Sequence, residues 1–575
     1  MAMAISWGKR RAIVIVGIVV VFVALIWLAA SRPQHISANS VLVLDTSGAI
    51  EEQRSADFLS ALNGGQTPVL RDYIEAIDRA SGDSHITGLV VRIGPLQTGW
   101  AKLEEIHAHL LRFRKSGKPS ICYLGYDGIS NPEYYLASGC SQVWLLPTAP
   151  VSIHGMMAEA LFLRGSLDKL KVVPEFYHIA EYKTAGNTFT EKKFTPAHRE
   201  EVESLLQSIY GSYLTETSAA RDMDRAKFEG LVEKGPLSAD DSLDSGLVDR
   251  KAYWDQVQDF FRKRDGDWRP VQLGRYRTQS SVNADLGIGP QIAVVRASGL
   301  IVSGDSESTA GGGSVMGGDS VARDLRAARN NSNIKAIVLR VDSGGGSAVA
   351  SEVIRREVEL ANREKPVVVS MSDVAASGGY WIAMSARHIV ADPNTITGSI
   401  GVLIGKFNLS GLYSLLGMST DSVTTSENST FFSDQQNFTP TQRAAVEKSL
   451  QETYASFTKG VAEGRNMRVA DVDKIAKGRV WSGAQGKDLG LVDELGGLTA
   501  AIASAKKLAH IAPNESVRIV NYPMEKNFFQ MLLERERGQT MVAPATPMSL
   551  DETLQRLTST MDPVQARVPF ELHLK

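Results

Sequence analysis

Cysteine is nearly absent: 575 residues contain only Cys122 and Cys140, which excludes a disulfide framework and any CxxC metal motif. Their state is open on sequence grounds, either a bond formed in an oxidising compartment or two buried thiols. An excess of one charge is missing as well. The net charge is −2 and no long basic stripe occurs, so there is no reason to expect nucleic acid as a partner. The ten histidines include no HExxH, and His107 and His109 are two apart and cannot share a helix face. No metal or other cofactor is expected. Apolar runs long enough for a bilayer are absent with one exception. After Lys9, Arg10 and Arg11 comes AIVIVGIVVVFVALIWLAA, residues 12–30, without a charge. At about 1.5 Å per residue this run nearly matches a hydrocarbon core of about 30 Å, and it exceeds a signal-peptide core of about 7–15 residues. The expectation is an uncleaved transmembrane anchor, with residues 1–11 cytoplasmic and everything after Ser31 across the membrane. A cleaved signal peptide is the competing reading, because LAAS supplies small residues for cleavage.

The length calls for two or more domains, and the chain is in fact written twice. VLVLDTSGAI (41–50) resembles IAVVRASGLI (292–301), and ITGLVVRI (86–93) resembles IKAIVLRV (334–341). EYYLASGCSQVWLLP (133–147) answers GYWIAMSARHIVADP (379–393), and DSGLVD (244–249) answers DLGLVD (488–493). The offset drifts only from 251 to 244 residues, so order and spacing hold throughout. Within each copy, β-branched runs such as KAIVLRV and KPVVVSM alternate with amphipathic stretches such as SEVIRREVELANRE (351–364). That pattern predicts an α/β fold with a largely parallel, buried core. The expected organisation is a first unit at 40–262, a linker at 263–289, a second unit at 290–512 and a tail at 513–575.

Three short stretches could make one site. Cleaving an amide needs a nucleophile, a base for its proton and donors for the oxyanion. SDVAASGGYW (372–381) offers Ser377 on a turn with little side-chain bulk, similar to a nucleophile elbow with Ala375 in place of the first glycine. RVDSGGGSAVASE (340–352) lacks the Lys-Ser/Thr ending of a phosphate loop. It fits an oxyanion loop built from Gly345 and Gly346, with the Gly378 N–H as second donor. HIAEYKTAGNTF (178–189) places Lys183 among small and apolar neighbours. As a base it must be neutral, so its pKa must fall from about 10.4 towards 7, a shift that burial supplies. Taken singly, each stretch also has a plain structural reading: a helix start, a flexible turn, a solvated lysine.

Together the stretches resemble the signal peptide peptidase A family, also called protease IV, in its long duplicated form. VASEVIRRE, KPVVVSMSDVAASGGYWIA, TGSIGV and LDKLKV…EYKTA carry the resemblance, which runs from about residue 40 to 510 and includes the N-terminal anchor. It implies a tandem of two ClpP/crotonase-like units behind one transmembrane helix. It implies Ser377 as nucleophile, Lys183 as general base and Ser399, in ITGSIGV, as the hydroxyl that hydrogen-bonds the lysine. The family's oxyanion loop usually reads Ser-Pro-Gly-Gly-Ser, and Gly344 stands here at the proline, which makes the loop less pre-organised. The resemblance further implies a serine endopeptidase acting on remnant signal peptides and other apolar peptides. It would work as a homotetramer, held to membrane lipid by its N-terminal helix, on the periplasmic side of a bacterial cytoplasmic membrane.

The duplication bears on the roles. An offset of 246 sets Asn131 opposite Ser377 and Ser429 opposite Lys183, and within each half the two positions, Asn131 and Lys183 or Ser377 and Ser429, are separated by the same 52 residues. Each half has kept one member, so the first unit is expected to supply the base and the second the nucleophile. Two rival classes are a crotonase-like acyl-CoA hydratase or isomerase and a non-catalytic membrane scaffold. The anchor argues against the first, and the presence of both Ser377 and Lys183 against the second.

Overall fold

The structure, a computed structural model, describes residues 36–53, 68–277, 289–308, 314–523, 565–567 and 573–574. The expected anchor at 12–30 lies outside them, and among the described residues no helix is long and apolar enough to cross a membrane.

The first unit contributes β1 (Ser40–Gly48), β2 (Ile86–Leu96), β3 (Ser120–Leu124) and β4 (Gln142–Leu145). Strand β5 (Val173–His178) leaves this sheet, and β6 (Arg250–Lys251) and β7 (Pro270–Gln272) return to it. The order is β6-β4-β3-β2-β1-β7, parallel throughout. The second unit contributes β8 (Gln291–Ser298), β9 (Ile334–Ser343), β10 (Gly345–Ser347), β11 (Val367–Ala376), β12 (His388–Ala391) and β13 (Ile396–Gly398). After them come β14 (Leu403–Asn408), β15 (Val480–Ser482), β16 (Glu494–Leu495) and β17 (Arg518–Tyr522). Its sheet runs β15-β13-β11-β9-β8-β17, with β12 beside β11 and β16 beside β12, parallel except at β15. Strands β1, β2, β3, β4, β6 and β7 thus have counterparts in β8, β9, β11, β12, β16 and β17. Each unit ends on a short edge strand beyond the boundary expected for it, β7 in the supposed linker and β17 in the supposed tail. Three and five residues are too few for a periodic signal, and only pairing with β1 and β8 makes them strands.

Parallel strands covered on both faces need apolar residues on both, and all of β3 is buried. The helices that matter below are α1 (Trp100–Arg114), α2 (Pro196–Ala220), α3 (Ala348–Glu364), α4 (Gly378–Ala383) and α5 (Pro440–Arg465). The long helices α2 and α5 occupy equivalent places and start alike. Thr195 and Thr439 accept from the N–H of His198 and Gln442, with a proline at the first helical position. Cys122 and Cys140 form a disulfide inside the first unit's core, with Cα atoms 5.7 Å apart.

The units interlock. β5 of the first pairs antiparallel with β14 of the second, from His178↔Leu403 to Val173↔Asn408. A C-terminal strand, β18 (Gln565–Arg567), pairs antiparallel with β10 and touches β14 at Leu403. Beneath, Arg340 of β9 is 1% exposed and reaches into the first unit. Its Nη2 donates to Glu52 Oε1 at 2.7 Å and Glu105 Oε1 at 2.5 Å, and its Nη1 donates to Ser370 Oγ at 2.8 Å. Burial alone would raise the Glu52 pKa, but Arg340, Lys102 and the Ser372 hydroxyl together outweigh it and hold the carboxyl at about 2. Removing one partner of such a network leaves the other charges buried and unmatched, at a cost of about 3–5 kcal/mol. Arg340→Ala is therefore expected to lower the thermal unfolding midpoint by several degrees; an unchanged midpoint would show that the network does not hold the units together.

Candidate active site

Two backbone turns meet at one place. After Ser343 the chain enters Gly345 (φ +101°) and Gly346 (φ +151°), values that only glycine adopts without strain. A Cβ on Gly346 would lie 2.1 Å from the Ile301 carbonyl oxygen. The other turn is at the end of β11, where Ser377 has φ +57° and ψ −115°, a sparsely populated region for a residue with a side chain. Its N–H donates to Gly398 O at 2.8 Å, and its carbonyl accepts the first helical bond of α4 from Trp381 N at 2.8 Å. Strand, strained serine and helix reproduce the nucleophile-elbow geometry without its first glycine. The two turns pack backbone on backbone. A Cβ on Gly379 would lie 2.4 Å from Ser343 O, and one on Gly378 3.0 Å from Gly345 Cα and 3.2 Å from Gly346 N.

Lys183 reaches this place from the other unit, and the β5–β14 pairing brings it there. The lysine follows the end of β5 by five residues, and Ser399 precedes the start of β14 by four, at the same end of the ribbon. Ser399 is itself at φ +49°, fixed by its N–H to Arg479 O at 2.7 Å. Gly478 backs the lysine so closely that a Cβ there would lie 2.5 Å from Lys183 N. The Lys183 Nζ lies 2.6 Å from Ser377 Oγ, 3.0 Å from Ser399 Oγ and 3.2 Å from Ser399 O. All three residues are fully buried. A neutral amine has two N–H groups and one lone pair, and three contacts match that inventory. In the neutral form two N–H groups can donate to the two Ser399 oxygens, which leaves the lone pair for the Ser377 hydroxyl; in the charged form the third N–H donates to Ser377 Oγ.

Burial pushes the Lys183 pKa down to about 7, against the opposing pull of the Glu201 carboxyl. Glu201, on α2, is itself pushed up to about 8 by burial. It accepts from Thr184 Oγ1 at 2.7 Å and Val480 N at 3.3 Å, tying the lysine's loop to the second unit. Sequence reasoning missed both Glu201 and Gly478. Gly478 meets the lysine from 295 residues away and Glu201 reaches Val480 from 279, and neither stands in a motif of its own.

The sequence-selected residues Ser377, Lys183, Ser399, Gly345, Gly346 and Gly378 all converge here. One of them differs from expectation in detail: the Gly345 N–H donates to Ser343 Oγ at 3.1 Å, so it shapes the loop, and Gly346 and Gly378 remain the candidate oxyanion donors. The histidine nearest Ser377 in sequence, His388, sits on β12 with Nε2 2.9 Å from Glu494. The duplicated counterparts are idle. Asn131 spends its side chain on the backbone of His154, and Ser429 is exposed in a turn.

A family model, peptidase family S49, matches residues 112–266 and 359–512, once in each unit. The chain is 35% identical over 500 residues to Protease 4 of Salmonella typhi, covering 83% of this chain and 79% of that protein. It is 32% identical over 535 residues to Protease 4 of Haemophilus influenzae, with coverages of 88% and 85%. To the chloroplastic serine protease SPPA of Arabidopsis thaliana it is 33% identical over 496 residues, with coverages of 85% and 72%. Among solved structures it is similar to ClpP1 from Listeria monocytogenes, at 15% identity and a TM-score of 0.23, over 38% of this chain and 96% of that one.

The buried lysine has two measurable consequences. Turnover that needs the neutral amine should rise with pH, so kcat/KM is expected to show an acid limb centred near pH 7; a profile flat from pH 5 to 9 would exclude a lysine base. Stability follows the same proton. With a folded pKa of about 7 against an ordinary 10.5, the unfolded chain binds more protons between those values, so stability rises with pH across that window. Below pH 7 the whole penalty applies, about 5 kcal/mol at ~1.4 kcal/mol per unit. Lys183→Met is therefore expected to melt at a higher temperature than wild type at pH 6, with the difference shrinking by pH 9.

Proposed function

This chain belongs to peptidase family S49 and is a serine peptidase, and we propose that it cleaves apolar peptides, remnant signal peptides among them, with a Ser377–Lys183 dyad split between its two units. The observation that carries this reading is the 2.6 Å contact between a fully buried lysine, its pKa lowered to about 7, and the hydroxyl of a serine on a strained turn. In the proposed mechanism Lys183 Nζ takes the Ser377 proton as Oγ attacks the scissile carbonyl. The Gly346 and Gly378 N–H groups hold the oxyanion; Gly378 opens α4, where a helix has no internal acceptor for its N–H. The Lys183 ammonium, steadied by both Ser399 oxygens, protonates the leaving amine. Lys183 then takes a proton from water as its oxygen bonds to the acyl carbon, and returns that proton to Ser377 Oγ as the ester bond breaks.

An extended peptide suits the surroundings. Residues 565–567 fill the slot between β10 and β14 and pair antiparallel with both, so the slot binds an extended backbone, and a strand-like substrate on the same path would take their place. For location, the apolar stretch 12–30 and the Cys122–Cys140 disulfide support a chain anchored in a bacterial cytoplasmic membrane with its body on the oxidising, periplasmic side. For assembly, Leu170 ahead of β5, Val173 at its start, and Leu415 and Leu416 beyond β14 are exposed at the same end of the ribbon. That apolar surface supports burial between copies in a homotetramer.

The decisive comparison uses wild type, Lys183→Ala and Ser377→Ala on a fluorogenic apolar peptide, with circular dichroism to show that each is folded. Ser377→Ala is expected to lose turnover, and Lys183→Ala to fall by at least about 100-fold. Wild-type rates in folded Lys183→Ala would mean that another base serves Ser377.

A further inference from the structure

The oxyanion loop and the nucleophile stand on adjacent strands, so their separation depends on how β9 and β11 are staggered. The two run in step from Ile337↔Val367 to Val341↔Met371. Then the register slips, and the next pair is Ser343↔Ala375. One residue of β9, Asp342, thus faces three of β11, from Ser372 to Val374. The slip lies just ahead of Gly345 on one strand and of Ser377 on the other. Bulges next to active sites re-aim the residues beyond them, and this one sets how far the nucleophile strand is advanced past the loop.

A slipped ladder loses backbone bonds, and here side chains replace them. Asp342 Oδ1 accepts from Val374 N at 3.2 Å. Both aspartates then converge on one cation that belongs to the first unit. Lys102 Nζ lies 2.8 Å from Asp342 Oδ2 and 2.9 Å from Asp373 Oδ2, and the lysine is 7% exposed. The other oxygen of Asp373 accepts from the Lys102 backbone N–H at 3.1 Å. That places the carboxylate at the N-terminus of α1, whose own N-cap, Gly99, has no side chain to do the capping. A Cβ on Gly99 would lie 2.2 Å from Asp373 Cγ, so the approach requires glycine.

We propose that Lys102 is a positioning residue for the peptidase reaction: bound to Asp342 and Asp373, it fixes the register slip that sets the nucleophile against the oxyanion donors. The proposal rests on Ser377 being the nucleophile. The Lys102 ammonium bonds to Asp342 and Asp373 and to neither member of the dyad. Its removal leaves two carboxylates facing each other where the strands part, and the expected result is a mis-spaced site with substrate binding retained.

The test measures kcat, KM and the pH dependence of kcat/KM on the fluorogenic peptide for Lys102→Met in the full chain. A misplacement of this kind predicts a kcat about 10- to 100-fold lower, KM within twofold of wild type, and an acid limb still centred where wild type has it, since Lys183 is untouched. Lys102→Arg, which keeps the cation, should recover part of kcat. Because Lys102→Met strands two half-buried carboxylates, the triple variant Lys102→Met, Asp342→Asn, Asp373→Asn serves if the single one does not fold. It buries no charge at the slip, and the same loss of kcat is expected in it. Wild-type kcat in either folded variant overturns the proposal, and so does a raised KM with kcat unchanged, which would make Lys102 a substrate contact. Ser377→Ala run alongside separates the two readings: turnover surviving there overturns the nucleophile assignment, whatever the Lys102 variants do.

Discussion

Everything at this site depends on keeping one amine out of water. A lysine in solvent is an ammonium at neutral pH and cannot take a proton from a hydroxyl. Lys183 is enclosed completely, and burial brings its pKa down to about 7. Enclosure also gives the amine its direction. Ser399 takes its two N–H groups and leaves one lone pair, which faces Ser377 Oγ at 2.6 Å.

No single unit can provide that enclosure. The lysine's loop is shut in by Gly401 and Gly478 from the second unit, while Glu201 of the first unit bonds to Val480 of the second. The division of labour implied by the duplication therefore has a structural consequence: the interface between units must be as well ordered as a core. It is built accordingly. The β5–β14 ribbon, the Arg340 network with Glu52 and Glu105, and the Lys102 bridge to Asp342 and Asp373 all cross it. Buried charges are costly unless matched, so separating the units would leave the Arg340 guanidinium and its carboxylates without their partners.

The two halves also keep one shape around different side chains. Asn131 stands at the position that corresponds to Ser377, the proposed nucleophile, and its side chain closes on His154 as an internal bracket. Ser429 stands at the position that corresponds to Lys183, the proposed base, and the turn around it lies open to solvent. The sheets retain the same order of strands in both units, down to the closing edge strands β7 and β17.

The sequence by itself determined the parts that rest on local chemistry or on repetition. Continuous β-branched runs specified the parallel strands, the repeat offsets paired the units, and small residues around Ser377 and Gly345–Gly346 marked the two turns, because turns of that shape exclude bulk. Lys183 and Ser399 were legible through resemblance, since a lone lysine and a lone serine have no local pattern that betrays a partner. Only the tertiary structure decided what depends on distance between remote residues. It paired Cys122 with Cys140, engaged the Gly345 N–H with Ser343, made strands of the short segments 270–272 and 518–522, and set Glu201, Gly478 and Lys102 around the site. Those residues act through groups that lie up to 295 positions away, as from Lys183 to Gly478. Burial and register are properties of the packed chain, and a linear pattern has no term for either.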